Sequence, residues 1–306
     1  MSYILSKTAI GVISSLMLSI NTLFWCAILF VFALLKLLLP FKPLRILIDH
    51  ILNGLANNWI SCNSGWMRLT QKTRWDVKGL DCLNYKSWYL VSSNHQSWVD
   101  IFVLQHLLNR KIPFLKFLIK FQLIYVPVIG LAWWALDFPF VRRYSRQDLE
   151  KHPNMRGKDL ETTRKACEKF ARIPTSVMNF PEGTRFSTTK QDKQKSPYRY
   201  LLKPKAGGIA LSLETMGDKF QSLLDVTIVY PDGVPDFWDF LCGVVKRITV
   251  RIQHLQIPKQ FIGSDYENNA KFREAFQQWL YQLWLEKDGR IGQLLAEKNP
   301  VSLSRP

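Results

Sequence analysis

The five cysteines of this 306-residue chain, at positions 26, 62, 82, 167 and 242, make no Cys-x-x-Cys pair and have no histidine nearby at metal-ligand spacing. An odd, scattered set of this kind excludes a disulfide framework and a zinc finger or ribbon, and it fits a reducing compartment with no bound metal. Acidic residues are scarce: 24 Asp and Glu stand against 41 Lys and Arg, for a formal net charge of +17. A chain so short of negative charge suits anionic partners: phospholipid headgroups, phosphorylated substrates, an acidic carrier protein or nucleic acid. No helix-turn-helix, finger or other nucleic-acid signature is present, which turns the choice away from the last of these. Internal repeats and an inter-domain linker are missing too.

Hydrophobic residues make up 47% of the chain and aromatics 13%, ample for a sizeable core in one large or two small domains. Their distribution is uneven. Between Lys7 and Lys36 there is no charged residue, and Leu37-Leu38-Leu39-Pro40 follows. That run is long enough to cross a bilayer, too long for a cleaved signal peptide and followed by no Ala-x-Ala site. A buried helical hairpin is the alternative. Only Lys7 precedes the run, whereas Lys36, Lys42, Arg45, Arg68, Lys72 and Arg74 come after it, so a spanning segment would leave the bulk of the chain in the cytoplasm. Residues 1–40 are therefore read as a membrane anchor. Residues 41–74 follow as an amphipathic helix (Leu44, Leu47, Ile48, Ile51, Leu52, Leu55, Trp59, Ile60) that covers the core or lies in the membrane interface. Residues 75–306 form the main domain.

Chemistry enters at Tyr89–Asp100. Trp88–Val91 is apolar and β-rich, Ser92–Asn94 breaks the run, and Val99–Leu108 has helical character, so His95 falls on a strand-to-helix loop. Imidazole titrates near neutrality, and a carboxylate beside it holds its tautomer and stabilises the imidazolium. Asp100 stands five residues away. On a straight helix that separation turns two side chains about 140° apart, so the pair works only where the chain bends. A His-x4-Asp pair is by itself weak evidence.

Further along, Phe121–Phe140 is strongly apolar and aromatic, suited to a core, an acyl-chain tunnel or a second membrane contact. Phe138–Val141 reads as a short strand followed by Arg142-Arg143-Tyr144-Ser145-Arg146, a phosphate grip or a solvated basic loop. A helix at Asp159–Ala171 and a strand at Thr175–Phe180 lead to Phe180-Pro181-Glu182-Gly183-Thr184-Arg185, either a cradle for an anion or an ordinary turn. Residues 188–200 are polar and basic and are expected to be a mobile loop. Gly207–Met216 reads as a helix, Leu223–Val229 as a strand, Val245–Gln253 as an edge strand, and Asn269–Lys287 as a helix followed by a short helix and a frayed tail. Strands alternating with helices predict an α/β domain with a mixed, largely parallel sheet.

The ordered set Asn94-His95-x-Ser97-x-x-Asp100, Phe140-Val141-x-Arg143, Phe180-Pro181-Glu182-Gly183-Thr184-Arg185 and Val229-Tyr230-Pro231 resembles the four motif blocks of the glycerolipid acyltransferase family. Within that family the chain is similar to lysophosphatidic acid (1-acylglycerol-3-phosphate) acyltransferases, in outline a bacterial membrane-bound member. The stretch from Leu202 to Gly208 resembles the branch that includes lysocardiolipin-type enzymes.

This resemblance implies an acyltransferase domain behind an N-terminal membrane-anchoring helix. It implies that His95 takes the proton from the free hydroxyl of a lysophospholipid while Asp100 orients the ring, and that the acyl group passes directly without an acyl-enzyme. Arg143 and Arg185 would bind the glycerol phosphate, and Glu182, Gly183 and Thr184 would shape the pocket. Backbone N–H groups near Gly183 would face the thioester oxygen. Pro231 matches the proline of the fourth motif, whereas Tyr230 replaces the small apolar residue usual before it. The acyl donor, acyl-coenzyme A or acyl carrier protein, is then a co-substrate, with no other cofactor and no metal. Membrane lipid and lysophosphatidic acid are the implied partners, and a bacterial inner membrane, with the domain on its cytoplasmic side, the implied location. A remodelling enzyme with another acceptor and a non-catalytic membrane scaffold remain as alternatives.

Overall fold

The computed structural model describes residues 6–39, 41–141, 173–263, 266 and 268–297. Two long helices open the chain, α1 (Lys7–Leu38) and α2 (Lys42–Thr70), followed by β1 (Arg74–Lys78), β2 (Trp88–Ser93) and α3 (Val99–Leu108). Then come β3 (Leu115–Phe117), β4 (Ile119–Lys120), α4 (Ile129–Ala135), β5 (Phe140–Val141) and β6 (Ser176–Asn179). The remaining elements are α5 (Thr188–Gln194), α6 (Gly207–Met216), β7 (Phe220–Val229), α7 (Phe237–Leu241), β8 (Arg247–Leu255) and α8 (Ala270–Ala296).

Six strands form one sheet in the order β1-β8-β7-β2-β6-β3. Every neighbouring pair is parallel except β7 and β8, which run antiparallel. This is the mixed, largely parallel sheet that the alternation of strands and helices predicts. β2 lies inside it and is covered on both faces, so its side chains alternate between two cores. Tyr89 and Val91 join Trp66, Val99 and Val103 of α2 and α3 on one face. Leu90 joins Ile209, Leu213, Phe276 and Trp284 of α6 and α8 on the other.

Three expectations are corrected. β8 is not an edge strand but sits between β1 and β7, and Thr249 and Arg251 pair with β1 as well as β7. The edge on this side of the sheet is β1, a half-polar strand fastened to β8 by the Arg251–Asp76 salt bridge of 2.8 Å. Residues 188–194 are not a mobile loop but the helix α5, capped at Ser187 and tied down by the Gln191 amide, which donates to the carbonyls of Tyr198 and Arg199. At the C-terminus α8 continues past Lys287 to Ala296 as one helix, because Ile291 and Leu294 extend its buried face.

α1 has two faces. One packs on α2, with the Asn21 amide donating to Asn63 Oδ1 at 2.8 Å and the Trp59 indole to Thr22 at 3.1 Å. At its far end Gly11 comes so close to α7 that a Cβ there would stand 2.6 Å from Cys242 Sγ. The other face carries Val12, Leu16, Ile20, Leu23, Val31 and Leu34, each more than half exposed. α1 is also long and apolar enough to cross a membrane. The aromatic segment after β4 is largely core: Ala132, Ala135, Leu136 and Phe138 pack against Leu29, Leu52 and Ile60, while Tyr125, Leu131 and Trp134 stay exposed.

Candidate active site

The parallel strands β2, β6 and β7 end side by side, and the loops leaving them meet at His95. The first step is Asn94, buried just past β2. Its side-chain amide donates to the Ile228 carbonyl and accepts the Ile228 N–H, both at 2.8 Å, so that it extends the β2–β7 ladder by one rung. The chain then bends into α3. At the bend Asp100 Oδ2 accepts the backbone N–H groups of Gln96 (2.6 Å) and Ser97 (2.8 Å), and His95 Nδ1 lies 2.9 Å from the same oxygen. That bend brings together two side chains that a straight helix would separate. Asp100 is fully buried and the His95 side chain is 12% exposed.

A carboxylate fed by two backbone N–H groups is an acceptor, so the His95 nitrogen facing it carries the hydrogen and Nε2 of the neutral ring keeps its lone pair. Phe180 stacks on the imidazole at 4.0 Å between ring centres and fixes its plane. The second carboxylate oxygen, Oδ1, accepts the hydroxyl of Tyr230 at 2.6 Å. Tyr230 is buried at the end of β7, and burial together with the charge of Asp100 pushes its phenol well above the usual tyrosine range.

Glu182 is also fully buried. Its two oxygens accept the His95 N–H and the Leu202 N–H, each at 2.8 Å, so it braces the His95 loop from behind rather than facing a pocket. Burial pushes its carboxyl up to about 8, against the pull of those two N–H groups and of Lys287. Phe186 N–H closes the brace by donating to the His95 carbonyl at 2.8 Å.

Gly183 occupies the turn that follows β6 with φ +69°, where a side chain would be strained, and its N–H donates to the Phe180 carbonyl at 2.9 Å. That N–H therefore belongs to the turn. Thr184 Oγ1 accepts Lys190 Nζ at 3.0 Å, and the same ammonium reaches the Arg185 carbonyl at 2.8 Å. The Arg185 guanidinium is exposed and lies 5.0 Å above the indole of Trp98, itself on the His95 loop. Pro231 is buried directly after Tyr230. Arg143, its basic neighbours and the helix expected at 159–171 lie outside the described residues.

The structure thus joins His95, Asp100, Glu182 and Arg185 around one loop. Sequence reasoning noted Tyr230 as a departure from a motif and gave it no role; its hydroxyl was the available signal. It missed Lys190, whose helix looked like a loop. Among the described residues no group of three or more His, Cys, Asp or Glu is placed to hold a metal ion.

A sequence profile described as Acyltransferase matches residues 74–231. Lysocardiolipin acyltransferase 1 of Danio rerio is 26% identical over 192 residues, covering 58% of this chain and 44% of that protein. The 1-acyl-sn-glycerol-3-phosphate acyltransferase gamma of Mus musculus is 26% identical over 184 residues, covering 56% and 44%. The chain thus spans less than half the length of these two curated relatives. Among solved structures, the 1-acyl-sn-glycerophosphate acyltransferase PlsC of Thermotoga maritima has a similar fold, with a TM-score of 0.50 at 16% identity, over 90% of this chain and 97% of that one.

Proposed function

The chain belongs to the acyltransferase family, and from that premise we propose that it transfers a fatty acyl group from an acyl thioester to the free hydroxyl of lysophosphatidic acid. The product is phosphatidic acid. The observation that carries this reading is the buried Asp100 carboxylate held 2.9 Å from His95 Nδ1, which leaves Nε2 as a base at the mouth of the site.

In the reaction, His95 Nε2 removes the proton as the acceptor oxygen attacks the thioester carbonyl carbon. The C–O bond forms, the C–S bond breaks, and the imidazolium returns its proton to the departing thiolate. Asp100 stabilises the imidazolium between these steps. The acyl group passes directly, and the donor, acyl-coenzyme A or acyl carrier protein, is a co-substrate rather than a cofactor. Arg185, with Arg143, binds the phosphate of the acceptor. The exposed apolar face of α1 supports a seat in a bilayer, and the basic residues after it favour the cytoplasmic side; the location we propose is a bacterial inner membrane.

A second reading, transfer to a lysophospholipid with a larger headgroup, is favoured by the similarity to a lysocardiolipin acyltransferase and by the exposure of Arg185. The deciding experiment offers labelled oleoyl-coenzyme A and a panel of lysophospholipids to the detergent-purified chain, with His95→Ala in parallel. Phosphatidic acid formed selectively, and lost in the variant, is the expected result. Activity confined to another acceptor selects the second reading. Transfer that survives in His95→Ala removes the general base, and no transfer to any acceptor leaves a scaffold.

A further inference from the structure

Resting on that reading, we propose that Tyr230 is a positioning residue of the reaction, acting on His95 through Asp100 by giving its hydroxyl hydrogen to the carboxylate oxygen that the histidine does not use. The two oxygens of Asp100 are engaged from opposite sides: Oδ2 by His95 Nδ1 and the N–H groups of Gln96 and Ser97, Oδ1 by Tyr230 at 2.6 Å. Asp100 is wholly buried, so solvent does not reach Oδ1. Without the phenol that oxygen is a buried charge whose hydrogen bond has been removed, and the carboxylate gains freedom to turn away from the ring. The phenol stays a donor at working pH, because burial and the carboxylate both hold its proton on.

Packing alone does not require this arrangement. Tyr230 lies in the apolar cluster with Val226 and Ile228, which a phenylalanine ring would fill as well. The chain also departs from its own motif here, placing a hydroxyl where a small apolar residue is usual, so the motif does not imply the bond. A second effect follows from charge. The hydroxyl draws density from Asp100; removing it leaves a stronger anion beside the imidazolium, which then holds its proton to higher pH. Among the described residues, the other titratable and charged groups around the loop are Glu182 behind the His95 N–H, Arg185 over Trp98, Lys190 on α5, and the Asp236–Asp239 cap of α7 next to Pro235, whose carbonyl accepts the Ser97 hydroxyl. None of them touches Oδ1.

The test uses Tyr230→Phe in the full-length, detergent-purified chain, alone and combined with Asp100→Asn. Two readouts are taken across about pH 5.5 to 9. One is acyl transfer. The other, which needs no turnover, is the rate at which diethyl pyrocarbonate modifies His95, followed by peptide mass. The proposal expects kcat to fall about tenfold with KM changed less than about twofold. It expects the acidic limb of both profiles to move to higher pH, and no further effect of the phenylalanine in Asp100→Asn. Profiles of unchanged shape, or an equal loss in the Asp100→Asn background, would overturn it as a merely structural residue. If the wild type transfers no acyl group, the acyl-transfer reading fails, while the modification profile still decides the link from Tyr230 to His95.

Discussion

Glu182 holds the backbone of His95 and leaves its ring alone: Oε1 accepts the His95 N–H and Oε2 the Leu202 N–H, both at 2.8 Å. The carboxyl group of the third motif therefore positions the loop that carries His95. Burial pushes its carboxyl up to about 8 from an ordinary 4.5. A group raised in the folded state contributes stability that is complete below its unfolded value and is lost as pH rises through the folded one. Thermal unfolding should accordingly show Tm falling from about pH 5 to about pH 8, and Glu182→Gln, with nothing to titrate, should lose that part of the slope. A variant whose Tm tracks the wild type across the range would mean that the carboxyl is ionised throughout.

Arg185 is the cation of the third motif whose head is exposed, and Trp98 supports its guanidinium from the His95 loop. Arg185→Ala should raise KM for a phosphorylated acceptor about tenfold with a smaller change in kcat, as expected for a bidentate contact made alike in ground and transition states. Arg185→Lys should recover only part of this, because an ammonium lacks the planar fork. Steady-state kinetics with lysophosphatidic acid varied at fixed donor would settle it, and an unchanged KM would remove Arg185 from the phosphate site.

The turn at Gly183 joins these two side chains. With φ +69° the backbone is in the left-handed region, and an alanine there is strained by about 1–2 kcal/mol. Gly183→Ala should lower stability by about that amount and turnover by more, since a shift of this turn moves Arg185 and loosens the brace at Glu182 together. Chemical denaturation alongside kcat provides the comparison. An alanine variant with full activity would show that the turn tolerates another conformation.

How much of this was legible beforehand differs from residue to residue. α3 and α6 have in the structure the bounds that the sequence predicts, because their apolar runs begin and end at clear breaks. β1 was not read, since Arg74-Trp75-Asp76-Val77-Lys78 has the composition of a surface loop and becomes a strand only by pairing with β8, far away in sequence. α5 was hidden for a related reason: its stability comes from the Ser187 cap and from the Gln191 amide rather than from an apolar stripe. In the site, His95 and Asp100 were visible as residue types, but the bend that joins them depends on two backbone N–H groups that no spacing records. Glu182 looks the same in a motif whether it faces a substrate or the chain behind it. Tyr230 is 130 positions from Asp100, and only the parallel pairing of β2 with β7 brings the two together.

The outer face of α1 makes a further prediction. Leu16, Ile20 and Leu23 are each 58–59% exposed and line up on the side away from α2. Burying one leucine side chain in an apolar phase is worth about 1.5–3 kcal/mol, so Leu16→Glu or Ile20→Glu should weaken binding to phospholipid vesicles about tenfold or more. Folding should be spared, because these positions are not part of the core. Vesicle sedimentation with Tm as control measures both. A loss of Tm equal to that of a core substitution would show that the face packs against protein instead.

A buried ion pair helps keep β7 in place. Lys287 and Asp225 are both fully buried, with Nζ 2.7 Å from Oδ1, and Arg290 reaches Oδ2 at 3.2 Å. Burial pulls the Lys287 ammonium below its ordinary range while Asp225 pulls it back, so the charge depends on the pair. Lys287 also donates to the Val226 carbonyl at 2.6 Å, which fastens α8 to the strand that leads into Tyr230. Lys287→Met removes one partner and leaves Asp225 with Arg290 alone; a broken buried pair of this kind costs about 3–5 kcal/mol. Denaturant unfolding should show that loss, and Asp225→Leu combined with Lys287→Met should recover much of it. If the pair only stabilises, the folded fraction of the single variant keeps its kcat. If it also sets the reach of β7 toward Asp100, kcat falls with it, and in the same direction as in Tyr230→Phe. The geometry favours the first outcome, because Asn94 ties β7 to the His95 loop independently at Ile228, between the ion pair and the tyrosine.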